Sequence, residues 1–152
     1  MSTEETDFAA YHARFKRLPK GAQADLRRVA EPDDLRDTPG LYRLFPGGRP
    51  SDQEVQAAFF LPWCPKLATG TRFMALCADR ISEERIIQIA RANPPDDLVA
   101  LRRLVMQLHP DVGWLDLAPL AWYWGRKKKG PTKRRFIEGY YIALHKLDQG
   151  DK

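Results

Sequence analysis

Within the ten residues 126–135 there are seven lysines and arginines and no acid. Arg126, Lys127, Lys128 and Lys129 form one cluster and Lys133, Arg134 and Arg135 a second, separated by Gly130-Pro131. Such side chains are suited to one kind of chemistry, the neutralisation and hydrogen bonding of phosphate oxygens. Trp122, Tyr123, Trp124, Phe136, Tyr140 and Tyr141 flank the run. Cations beside aromatics suit single-stranded nucleic acid, because the cations follow the backbone while rings can stack on bases. For these rings burial is nevertheless the stronger expectation. Phe136, Tyr140, Ala143, Leu144 and Leu147 recur at helical spacing, as core residues do.

Two arginine pairs add to the run. Leu98, Leu101, Val105 and Leu108 share one face of a helix. At about 100° per residue Arg103 points away from that face, and Arg102 sits on its flank. Arg28 likewise points away from Leu26 and Val29, with Arg27 flanking them. A flanking arginine can lay its stem on the core and project its head outwards, which limits its freedom and suits gripping a phosphate. The competing expectation is pairing with local acids such as Asp25, Glu31 or Asp97. The acid-rich stretch 31–37 offers partners to Arg27, Arg28 and Arg36.

Nothing comparable points to catalysis. His12, His109 and His145 are the only histidines, and none lies at ligand spacing from a cysteine or an acid. Phosphate-loop, dinucleotide, zinc-protease and nucleophile-elbow motifs are absent. Glu83-Glu84 and Asp96-Asp97 each open a helix, where acids complement the positive dipole end. Cys64 and Cys77 match no metal or redox spacing and read as core thiols of a reducing compartment. No catalytic residue, cofactor, metal or small-molecule substrate is expected.

The elements that position these residues are helical throughout, with no segment alternating as a strand would. Helices are expected over 7–17 and from about 21. A third starts at Pro32 and breaks near Pro39-Gly40. Ser51 caps a helix through Phe59, and Ser82 caps another over 83–92. Further helices cover 72–78, 96–109, 115–128 and 132–147, with Asn93-Pro94-Pro95 and Gly130-Pro131 as stops. Residues 61–71, with Pro62 and Pro65, fit no element. The expected fold is all-α, a compact bundle of about eight helices forming a single domain, divisible into lobes 1–79 and 80–152.

A composition of 43% apolar and 30% charged residues is that of an ordinary globular domain. The net charge of +5 is segregated, with acids gathered at residues 4–7, 31–37 and 96–97. The N-terminus is acidic and polar, unlike a signal peptide, and the apolar run 57–63 is too short to span a membrane. A cytoplasmic protein without membrane partners is expected.

Two stretches resemble a known family. Leu26-Arg27-Arg28-Val29-Ala30-Glu31-Pro32-Asp33-Asp34-Leu35-Arg36-Asp37-Thr38-Pro39-Gly40-Leu41-Tyr42-Arg43-Leu44 resembles the N-terminal signature of CasB, the small-subunit family of the type I-E CRISPR Cascade surveillance complex. The second runs from Arg80-Ile81-Ser82-Glu83-Glu84-Arg85-Ile86-Ile87 through Leu101-Arg102-Arg103-Leu104 to Trp122-Tyr123-Trp124-Gly125. It is similar to the C-terminal half of that family in order and spacing. The resemblance implies an all-α, non-enzymatic antiviral subunit whose copies pair head to tail against other Cascade subunits. It implies backbone contacts that stabilise the guide RNA–target DNA hybrid and the displaced strand. Carried onto this chain, it makes Arg27, Arg28, Arg102 and Arg103 nucleic-acid-facing, joined by Lys127, Lys128 and Lys129. It does not extend to residues 45–72 or beyond Gly130, so Lys133, Arg134 and Arg135 rest on charge alone. Alternatives stay open: a protein-docking module, a single-strand binder acting outside any complex, and an enzyme whose site is assembled from distant residues.

Overall fold

A computed structural model of the protein describes residues 6–125 and 132–150. Among them are nine α-helices, two 3-10 turns and no strand: α1 (Phe8–Arg17), α2 (Lys20–Arg28), α3 (Pro39–Leu44), α4 (Asp52–Phe60), α5 (Phe73–Arg80), α6 (Glu83–Arg91), α7 (Asp96–Leu108), α8 (Trp114–Tyr123) and α9 (Thr132–Gly150). The 3-10 turns are Pro32–Asp37 and Leu61–Trp63.

Side-chain caps set several starts by satisfying amides that a first turn leaves without partners. Asp7 accepts from the Ala10 amide at 3.0 Å. Ser51 and Glu54 cap reciprocally, at 3.1 and 2.8 Å. Ser82 accepts from the Arg85 amide at 3.2 Å. The stretch expected to be a third helix divides as Pro39 dictates. A 3-10 turn ends at Asp37, Thr38 is extended, and α3 begins at the proline. Gly40 is needed for packing, since a Cβ there would sit 3.2 Å from Leu26 Cγ and 3.4 Å from the Ala22 carbonyl oxygen.

The core is continuous across the described chain. α4 lies at its centre, with Val55, Ala57, Ala58, Phe59 and Phe60 all buried, against α8, α7 and the first 3-10 turn. α7 buries Leu98, Leu101, Leu104, Val105 and Leu108. α9 packs along α5 and also meets α6 and α8. Residues 66–69, which no sequence pattern assigns, form a strap over the start of α8. The Lys66 and Leu67 carbonyls accept from the Trp114 and Leu115 amides at 2.9 Å each. The strap leaves no room for a side chain at Gly113, whose Cβ would lie 3.0 Å from the Thr69 amide nitrogen.

Candidate nucleic-acid interface

α7 carries one of the exposed cations. Thirteen residues long, it spans about 20 Å. Arg103 is exposed near its middle and lines a shallow cleft of about 240 Å³ with Arg85, Gln88, Ile89 and Ala100. Arg85 reaches across from α6 and donates to Gln107 Oε1. This arginine arises from a cap, because Ser82 fixes the first turn of α6 and so the direction in which residue 85 leaves it. Nothing in the basic clusters of the sequence marks it.

α2 carries a second exposed cation, Arg27. Its guanidinium lies 5.6 Å from the centroid of Trp63 and donates to the Pro62 carbonyl at 3.3 Å. Trp63 meets His109, just past the end of α7, edge-on at 6.0 Å. The indole Nε1 is buried and has no hydrogen-bond partner among the described residues. Arg27 is thus exposed yet held by two contacts that leave its charge uncompensated. Arg28 is exposed and paired with Asp25, one of the acids foreseen for it. Arg36 pairs with Asp52 at 2.7 Å and Asp33 at 3.4 Å.

Two expected site residues sit differently from the sequence reading. Arg102 was expected to project its head from the flank of α7. Instead most of the side chain is buried, the residue being 9% exposed, with its guanidinium 4.0 Å from the Phe59 centroid because α4 presents that ring to the flank. Its Nε and Nη1 have no partner among the described residues. Burial, and secondarily the charge of Arg103, lowers its pKa from the usual arginine value. Lys133 was grouped with charges that no acid absorbs. In fact Nζ lies 2.7 Å from Asp97 Oδ2 and donates to the Ala92 carbonyl at 2.8 Å. Asp97 is nearly fully buried and also accepts from Trp124 Nε1 at 3.0 Å and from the Leu98 amide at 2.7 Å. It acts as a hub as well as a dipole-complementing acid.

Arg134 is exposed without an ion pair among the described residues, whereas Arg135 borders a separate groove between α5, α8 and α9. Arg126, Lys127, Lys128 and Lys129 lie outside the described residues. Of the flanking aromatics, Trp124, Phe136 and Tyr140 are buried, Trp122 stacks on Tyr11 at 5.8 Å, and Tyr141 is 40% exposed. Leu147, expected in the core, is 37% exposed.

Both cysteines are free and buried. Burial pushes the Cys64 thiol far up and the Cys77 thiol up to about 12, so neither is a ready nucleophile. Among the described residues no group of three or more His, Cys, Asp or Glu could hold a metal, and no helix is long and apolar enough to cross a membrane. The arrangement offers polyanion backbone Arg85 and Arg103 beside one cleft and the exposed Arg27 on α2.

No family model matches the chain. It is 30% identical to the CRISPR system Cascade subunit CasB of Escherichia coli strain K12 over 160 residues, covering 94% of this chain and 98% of that protein. It also matches a chain of the crystal structure of E. coli Cascade bound to a PAM-containing double-stranded DNA target. There the TM-score is 0.77 and the identity 29%, over 94% of this chain and 99% of the other.

Proposed function

This chain belongs to the CasB family of type I-E Cascade small subunits, and from that premise we propose that it is a non-catalytic clamp on nucleic-acid backbone within such a complex. Exchanging a DNA duplex for a guide–target hybrid is nearly balanced in energy, so a few phosphate contacts are enough to tip it. Base readout is unnecessary, because the guide supplies the sequence. The observation that carries the reading is the placement of Arg27 and Arg103. Both are exposed, Arg103 on α7 and Arg27 on α2, and neither is paired with an acid among the described residues.

Arg85, beside Arg103, and the exposed Arg134 add to the cations available to phosphate, and Arg28 joins them when it exchanges Asp25 for phosphate. Lys127, Lys128 and Lys129 enter on the family resemblance as well as on charge, and Arg126 on charge. Lys133 and Arg102 act from behind, the first by tying α9 to α7 and the second by filling the space beside Phe59. The guide RNA–target DNA hybrid and the displaced strand are the proposed ligands. A second copy and other Cascade subunits are the proposed neighbours.

The test is target binding by reconstituted complexes carrying Arg27→Ala and Arg103→Ala together. Complexes should assemble normally and bind target DNA about tenfold more weakly at moderate salt. Unchanged target binding with full subunit occupancy would overturn the clamp.

A further inference from the structure

A groove with a volume of about 880 Å³ lies between α5, α8 and α9, lined by no residue of α7. Its walls include Met74, Leu115, Leu120, Ile142 and Leu147. Three of these are unusually open for large apolar residues: Leu115 is 40% exposed, Ile142 58% and Leu147 37%. Arg72, Arg135 and Lys146 border the groove against a single acid, Asp116. On α9 the bordering residues run from Arg135 to Leu147, about 18 Å of helix.

We propose that this groove is a docking site for an amphipathic helix of a different protein subunit, with an apolar stripe for the groove and acids on its flanks. The inference rests on the reading of this chain as a subunit of an assembly, but not on the α7 arginines. An open apolar floor of this length fits three to four turns of helix anchored at i, i+3 or i+4, and i+7. Phosphate backbone gains nothing from covering leucine and isoleucine, so nucleic acid is the wrong occupant despite the basic border. That border instead selects the sign of the partner and steers it.

A second copy of this chain is also a poor fit. The other large apolar residues exposed among the described residues are Tyr42, Leu67, Met106 and Tyr141. The first three stand on separate elements and make no stripe, and Tyr141 is on α9 beside the groove itself.

The experiment places the photo-crosslinking residue p-benzoylphenylalanine at position 142 in a reconstituted Cascade complex and sequences the crosslinked peptide. A peptide of another subunit with helically spaced apolar residues flanked by Asp or Glu is expected. Ile142→Asp should lower occupancy of this chain in the complex at least about tenfold, as should the surface charge reversal Arg72→Glu with Lys146→Glu. Both variants should keep their melting temperature. Crosslinks to RNA, to DNA or to a second copy would overturn the proposal, as would full occupancy of the Ile142→Asp chain. Arg103→Ala complexes serve as the control. If they assemble but bind target normally, the clamp reading fails and the groove stands. A wild-type chain that never joins the complex would overturn the assembly reading and the groove with it.

Discussion

Arg102 and Arg103 are adjacent in sequence yet sit in different surroundings. Arg102 stacks on Phe59 with two guanidinium nitrogens unpartnered among the described residues, and Arg103 is exposed. Truncation to alanine at 102 removes a desolvated cation–π contact and leaves a hole, a loss of about 2 kcal/mol. Arg102→Met fills the space with an apolar chain and removes the unpartnered groups, so its stability should match or exceed wild type. Arg103→Ala should leave stability within about 0.5 kcal/mol of wild type and weaken nucleic-acid binding. Urea denaturation and DNA binding, measured on each single variant, separate the roles. An Arg102→Met chain several kcal/mol less stable than wild type would show that the guanidinium is needed where it lies.

His12 offers a second test at this scale. It is buried, with Nε2 3.1 Å from the Cys64 carbonyl oxygen. Burial lowers its pKa below 6.5, assisted by Lys16, against weaker opposing effects of the Cys64 and Pro65 backbone. A lowered folded-state pKa means that the unfolded chain takes up the proton first. The stability His12 contributes is therefore fully present above pH 6.5 and is lost as pH falls below it towards the folded-state pKa. Urea midpoints should drop between pH 7 and 5.5 in wild type and drop less in His12→Gln. Equal drops in the two chains would assign the pH dependence to other groups.

Among the elements, Asp97 matters out of proportion to its size. One carboxylate joins the first turn of α7, the indole at the end of α8 and the first turn of α9. Asp97→Ala leaves Trp124 Nε1 and the Leu98 amide without their acceptor, at a cost of about 3 kcal/mol, or roughly 9 °C in Tm. Asp97→Asn keeps an acceptor and should cost about half as much. A loss below 1 kcal/mol for the alanine variant would mean that packing alone holds the three elements together. The helices themselves were legible because their signals are local. Prolines, capping serines and apolar spacing act within a turn or two, and Ser51, Ser82 and Asn93-Pro94-Pro95 mark real boundaries. The Asp97–Lys133 pair was not legible, since it joins residues 36 apart whose types each have an ordinary local explanation. Nor was the strap at 66–69, whose hydrogen bonds run to α8 and leave no periodic trace. Arg27 and Arg103 were legible as outward cations. Arg102 was misplaced because helical geometry gives the direction of a side chain but not the ring that awaits it.

For the whole molecule the decisive property is where the charge lies. Arg27, Arg28, Arg85, Arg103 and Arg134 are exposed or half-exposed, while the acids at 31–37 engage Arg36 and cap a turn. If those five cations each neutralise one phosphate of a single strand, the logarithm of affinity should fall against the logarithm of salt with a slope of about −3.5. Removing Arg27 and Arg103 together should reduce that slope to about −2.1, because two fewer counterions are released. The change in slope is more telling than the change in affinity. A variant that binds weakly through partial unfolding keeps the slope of its folded fraction, whereas one that has lost phosphate contacts does not. The measurement is a salt series with labelled single-stranded and duplex DNA, using wild type and the double alanine variant. Groove variants such as Ile142→Asp should retain the wild-type slope, since they remove none of the five cations. A wild-type slope near zero would remove backbone neutralisation from the account and leave protein docking as the role of the basic face.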